Sequence, residues 1–195
     1  VAIYCAFIFA LSVTFPFNND LSLYIIGSTL LLFVGLLDDF ISLTPAQKFL
    51  GQIIASLCFI KAGFFLKEEF FLQPINIAIS LFWFLTIINA LNLVDVMDGL
   101  SSSLALYSIA AFCSFLYLDG NWPAAILLGC LFGAILGFFI YNKPPAKIYM
   151  GDAGTLFIGG IIGSAPFFIS WSKFNGFGLL IPILILFIPL LELAS

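Results

Sequence analysis

Long apolar runs separated by short polar connectors dominate this chain. Eight runs can be drawn, roughly over residues 1–15, 21–37, 49–66, 75–93, 100–118, 122–141, 156–171 and 177–193. Uncharged apolar stretches of about 18 residues or more read as membrane spans. In lipid each backbone N–H and C=O must be satisfied within its own segment or in a closed barrel. The runs are continuous and lack the alternation of barrel strands, so they predict helices. The expected fold is all-α: a polytopic transmembrane helical bundle of about eight spans, forming one integral-membrane domain over 1–195. The chain opens at Val1 and stops at Ser195, inside or just after an apolar run, so truncation at both ends is expected. Residues 1–15 lack the basic leader and cleavage site of a signal peptide. The connectors at 16–20, 119–121 and 173–176 carry turn residues. Residues 67–74 read as a longer polar-aromatic loop, and Trp122 and Trp171 fall at span ends, where indole rings favour the interface.

Composition narrows the partners. Charged residues make up 8% of the chain against 63% hydrophobic, whereas soluble domains carry about 25% charged. The six basic residues are all lysines, ten residues are acidic and the net charge is -4. Nucleic acid is thereby disfavoured, because phosphate neutralisation needs clustered Lys and Arg. With no histidine, acid–base chemistry must use carboxylates or lysine. Cys5, Cys58, Cys113 and Cys130 sit in apolar runs without C-x-x-C spacing and read as packing residues. Gly129, Gly133 and Gly137, like Gly159 and Gly163, recur at every fourth position. That spacing lets helices approach closely. It is read first as packing within one bundle, and second as the seam of a homodimer.

Counting sides sharpens the picture. Connectors alternate across the membrane, so those after the second, fourth and sixth spans share one face. That face gathers Asp38, Asp39, Asp95, Asp98 and Asp152, with Lys48, Lys143 and Lys147. Clustered carboxylates repel unless a cation or protons neutralise them. Hard oxygen ligands favour Mg²⁺, with Mn²⁺ as a second candidate, and Mg²⁺ usually adds substrate phosphates to one or two carboxylates. Lysines beside it suit a phosphate. Adjacent acids at a helix C-terminus oppose the helix dipole, which argues that Asp38 and Asp39 have a use. Asp98 has a second reading as a cap for the helix opening at Ser101. Met150-Gly151-Asp152-Ala153-Gly154 places glycines around an acid at a span start, where backbone can approach an anionic ligand. An ion- or proton-coupled transporter is the alternative, but it would place acids mid-membrane rather than at span ends. An aspartyl protease motif G-x-G-D is excluded by Tyr149.

Three ordered motifs carry a resemblance. Gly35-Leu36-Leu37-Asp38-Asp39-Phe40, followed by Lys48 and Gln52, forms the first. Asn89-Ala90-Leu91-Asn92-Leu93-Val94-Asp95-Val96-Met97-Asp98-Gly99-Leu100 forms the second. Residues 141–157, from Tyr141-Asn142-Lys143-Pro144-Pro145-Ala146-Lys147 through Met150-Gly151-Asp152, form the third. Together they resemble the motifs of the polyprenyl-phosphate N-acetylhexosamine-1-phosphate transferases. Val96 stands where that family usually has Gly, Thr155 where it has Ser, and Glu192 where it commonly has Asp.

The resemblance implies a polyprenyl (undecaprenyl) phosphate attacking the sugar-bearing phosphate of a UDP-N-acetylhexosamine and releasing UMP. It also implies Mg²⁺ dependence and a site on the cytoplasmic face of a bacterial plasma membrane. By motif, Asp152 would be the metal ligand, and Asp38 or Asp39 would deprotonate or orient the lipid phosphate. Lys48 would bind that phosphate. Asn92, Asp95, Asp98, Asn142 and Lys147 would bind substrate. The 153–157 stretch looks nearer the GlcNAc-type or O-antigen-initiating branch than the muramoyl-pentapeptide branch, and a histidine-rich loop is expected beyond Ser195.

Overall fold

The computed structural model describes residues 1–16, 18–67, 71–171 and 178–194. Glu68, Glu69 and the turn at 173–176 therefore lie outside the described residues. The chain is helical throughout, with no strand among the described residues. In order come α1 (Ala2–Thr14), α2 (Asn19–Ile41), α3 (Pro45–Lys61), α4 (Gln73–Leu93), α5 (Leu100–Asp119), α6 (Trp122–Asn142) and α7 (Gly151–Ser164). A 3-10 turn over Ala165–Phe168 follows, then α8 (Ile181–Ile185) and α9 (Phe187–Ala194). Helices α2, α4, α5 and α6 are long and apolar enough to cross a membrane. With their short connectors they make this a multi-pass membrane protein.

The eighth apolar run is helical but broken at Leu186 into two short helices. Pro189 explains the break: it offers no N–H to the carbonyl of Ile185, and its ring crowds that carbonyl.

Helix α7 is the hub. Every residue from Ala153 to Ser164 is buried, with α2 and α4 packed on its flanks and α3 bridging those two. A helix apolar on all sides belongs in a core. Its glycines let the neighbours in: a Cβ at Gly159 would stand 2.9 Å from Ile88 Cα, and one at Gly160 would hit Leu31. Gly35 on α2 answers from the other side, where a Cβ would collide with Ala153 Cα and with the Asp152 carbonyl oxygen. Polar ties close the far end. The Tyr24 hydroxyl and Ser164 Oγ are 2.9 Å apart, and Trp83 Nε1 donates to the Gly163 carbonyl at 2.9 Å.

Two expectations are corrected. A Cβ at Gly129, Gly133 or Gly137 would meet nothing within 4 Å among the described residues, so the α6 stripe does not pack against them, unlike Gly159 and Gly163. Trp171 does not turn its ring outward from the bundle. It is buried, and its Nε1 donates to the Pro166 carbonyl at 2.8 Å. Trp122 is exposed, as expected.

These contacts separate the glycines by consequence. Gly159→Ala should lower the thermal midpoint in detergent, with overpacking costing about 1–3 kcal/mol. Gly133→Ala should hold or raise it, by about 0.4–1 kcal/mol. Light-scattering melts of the two variants check the contrast, and the reverse order would contradict this packing.

Candidate active site

The site forms where α2, α3, α4 and α7 meet at one end of the bundle. Helix α2 ends at Ser42, which adopts a left-handed φ of 50° and lets the chain turn straight into α3. Thr44 then opens α3 with a reciprocal cap: its side chain accepts from the Gln47 N–H while Gln47 Oε1 accepts from the Thr44 N–H. Pro45 pre-sets the first turn. The result puts Lys48 in that turn, aimed back across the bundle.

Its ammonium is the centre of the cluster. Lys48 Nζ lies 2.8 Å from Asp38 Oδ2, pairs with Asp152 Oδ2, and donates to Asn92 Oδ1 at 3.0 Å. Asn92 completes a ring, its Nδ2 donating to Asp152 Oδ1 at 2.8 Å and to Thr155 Oγ1 at 2.9 Å. Thr155 thus contributes its hydroxyl to the ring. Asp38 Oδ1 also accepts the Leu43 N–H at 2.8 Å, which fixes the turn beneath it. Below the ring, buried Gln52 and half-buried Asn89 exchange amide hydrogen bonds of 3.2 and 2.8 Å.

Asp39 turns the other way. Its Oδ1 accepts the Asp152 N–H at 3.0 Å and its Oδ2 the Ala153 N–H at 3.1 Å. Helix α7 begins at Gly151, earlier than the apolar pattern alone suggested.

Beside the ring lies a cavity of about 310 Å³, lined by Asn92, Asp95, Val96, Met97, Asp98, Asn142, Tyr149, Met150, Gly151 and Asp152. Burial raises the Asp95 carboxyl above its ordinary pKa, and the charges of Asp152 and Asp39 add to that. Hydrogen bonds from the Gly151 N–H and the Ser101 hydroxyl oppose it. An acid held in this way favours a proton or a cation nearby. Val96 is exposed and needs no left-handed backbone, since Ser42 alone has positive φ among described non-glycine residues.

The remaining sequence candidates serve the 142–150 loop. Asp98 does not cap α5, whose N-cap is Gly99 at φ 74° without a side-chain bond; its Oδ2 accepts the Ala146 N–H at 2.9 Å. Asn142 is buried, with Ser102 Oγ donating to its Oδ1 at 2.6 Å and its Nδ2 donating to the Ile148 carbonyl at 3.0 Å. Its amide is committed to shaping the loop, although it borders the cavity. Lys147 is exposed at the loop surface, outside the cavity lining, and makes no ion pair among the described residues. Ser102 and the Gln52–Asn89 pair were not singled out for these roles by sequence. Serines at a helix start read as caps, and buried amide pairing needs the helix register.

A larger cavity of about 550 Å³, walled by Phe65, Trp83, Phe167 and Trp171, lies at the opposite end and has no carboxylate among the described residues of its lining. Asp119 is also at that end, accepting the Ser170 N–H at 3.3 Å. The parity argument therefore holds: the acids after the even spans share one end.

The donors fit a divalent metal completed by substrate. Asp38 and Asp152 converge closely enough to share one cation, the Lys48 ammonium. No set of three or more acidic, cysteine or histidine side chains forms a full metal cage among the described residues. Mg²⁺ commonly takes one or two carboxylates, waters and substrate phosphates, which is what an open pair offers.

Comparison with known proteins places the chain in a family. Residues 21–170 match the family model described as glycosyl transferase family 4, and the chain belongs to that family. It is 35% identical over 185 residues to a phospho-N-acetylmuramoyl-pentapeptide-transferase of Listeria monocytogenes, covering 81% of this chain and 57% of that protein. It is 34% identical over 176 residues to the protein of that name from Streptococcus pneumoniae, covering 82% and 53%. A Streptococcus equi relative of the same name is 34% identical over 186 residues, covering 84% and 55%. The chain thus spans about half the length of these curated relatives. Their shared name belongs to the muramoyl-pentapeptide branch, not to the GlcNAc-type branch that residues 153–157 suggested.

The Gln52–Asn89 pair makes a specific prediction. Gln52→Leu should leave the half-buried Asn89 Oδ1 without its donor, its Nδ2 still bonded to the Leu85 carbonyl, and destabilise the protein by about 1 kcal/mol. Adding Asn89→Leu should restore part of that loss. Thermal melts of both single variants and the double variant measure the coupling, and strictly additive losses would contradict it.

Proposed function

We propose that the protein moves a phospho-N-acetylhexosamine from a UDP-sugar to polyprenyl phosphate, releasing UMP. This would be the first membrane step of a cell-wall or surface polysaccharide, run on the cytoplasmic face of a bacterial plasma membrane. The observation that carries the reading is the convergence of Asp38, Lys48, Asn92 and Asp152 beside an acid-lined cavity at the end of the bundle. Phosphoryl chemistry asks a protein mainly for positioning and charge neutralisation, and that is what these groups supply.

Asp152, with Asp38 beside it, would hold Mg²⁺ or Mn²⁺, which when bound neutralises charge on the donor diphosphate. Lys48 is placed to exchange a carboxylate for the incoming lipid phosphate. Asp38 is placed to take or orient the proton of that phosphate. Asn92 keeps Lys48 and Asp152 in mutual register. Asp95 lines the wall where the donor would lie, while Asp98 and Asn142 set the loop that borders it. Lys147, on the loop surface, would meet the nucleotide phosphates from outside the cavity. The relatives' names favour an N-acetylmuramoyl-pentapeptide as the sugar carried; the 153–157 stretch favours N-acetylglucosamine. Both are N-acetylhexosamines, and the same assay separates them.

Full-length protein in detergent, given polyprenyl phosphate and either UDP-sugar, should form UMP and lipid product only with Mg²⁺ or Mn²⁺. Asp152→Asn and Asp38→Asn should each lower kcat by about 10² or more. Asp119→Asn, at the opposite end, should shift the barrier by no more than about 0.5 kcal/mol. Undiminished turnover in excess EDTA, or near-native kcat in well-folded Asp152→Asn, would refute the assignment.

A further inference from the structure

The adjacent aspartates of α2 divide their labour. Asp38 faces the Lys48 ammonium. Asp39 gives both carboxylate oxygens to the N–H groups of Asp152 and Ala153, at 3.0 and 3.1 Å. Those donors belong to the first turn of α7, where helical N–H groups lack partners within the helix. The helix has no local substitute, because its own N-cap residue, Met150, makes no side-chain cap bond.

The surrounding backbone is shaped for this contact. Gly151 has φ +65°, and a Cβ there would stand 3.0 Å from Asp39 Oδ2. Gly35, one turn earlier on α2, lets that helix lie against the backbone of Ala153. A carboxylate at a helix start also meets the positive end of the helix dipole.

We propose that Asp39 is a positioning residue, an external cap on α7 that holds Asp152 where Asp38, Lys48 and Asn92 can use it. The phosphate chemistry is left to Asp38. This rests on the transferase reading for what Asp152 does, but the cap itself can be tested without turnover.

Peptide-resolved hydrogen exchange over residues 151–157, on full-length protein in Mg²⁺-free detergent, reads the cap directly. Asp39→Ala should speed exchange there by about tenfold or more, given two charge-assisted bonds lost. Asp39→Asn keeps one acceptor oxygen and should fall between Asp39→Ala and native. Native exchange in Asp39→Ala overturns the proposal; if that variant does not fold, native exchange in Asp39→Asn does so. In the transferase assay, Asp39→Asn should need more Mg²⁺ for half-saturation yet recover kcat to within about tenfold at saturation. Asp38→Asn should stay low at every Mg²⁺ concentration. Equal loss of kcat in both variants at saturating Mg²⁺ also overturns the proposal. Absence of product with any donor would count against the transferase reading alone and leave the exchange result to decide the cap.

Discussion

One ammonium group organises the active end of this protein. Lys48 is held by Asp38 from α2, Asp152 from α7 and Asn92 from α4, so a single charge ties α3 to three other helices. Without it, two carboxylates would face each other at a membrane boundary, where unpaired charge is costly. With it, each acid oxygen toward the cluster has a partner and a fixed direction. The capping box at Thr44 and the left-handed turn at Ser42 exist in service of that placement, because they decide where the first turn of α3 points.

The ring also requires α2, α4 and α7 to approach more closely than ordinary side chains permit. Gly35 and Gly159 supply the space, one on each side of the junction. Between them α7 is enclosed from Ala153 onward, so Asp152 is anchored by a helix with little freedom to shift. Rigid placement of this kind suits a reaction whose catalysis is mostly orientation and electrostatics.

Much of this was legible in the sequence. Apolar runs gave seven of the helices in outline, and connector parity put Asp38, Asp95, Asp98 and Asp152 at one end, because a short turn leaves a chain no other choice. The break in the eighth run was not legible: hydropathy does not register that Pro189 disables the carbonyl of Ile185. Spacing alone also could not say which glycine stripe faces a neighbour. Gly159 meets α4 while Gly133 meets nothing among the described residues, and only helix rotation separates them. Motifs pointed to the residues that cluster here but not to their contacts. Asn142 spends its amide on Ser102 and Ile148, and Asp98 binds the Ala146 N–H rather than capping α5. Such assignments depend on side-chain direction, which a one-dimensional pattern does not carry.

The proposed function places attack at phosphorus rather than at the sugar carbon, a step that asks mainly for the positioning and charge neutralisation a Lys48-centred cluster would supply. The path of the donor's sugar-bearing phosphate distinguishes these. A UDP-N-acetylhexosamine carrying ³²P in that phosphate, incubated with full-length protein, Mg²⁺ and polyprenyl phosphate, should deliver the label to the lipid product and leave UMP unlabelled. Recovery of the label in UDP, with sugar alone on the lipid, would contradict the account.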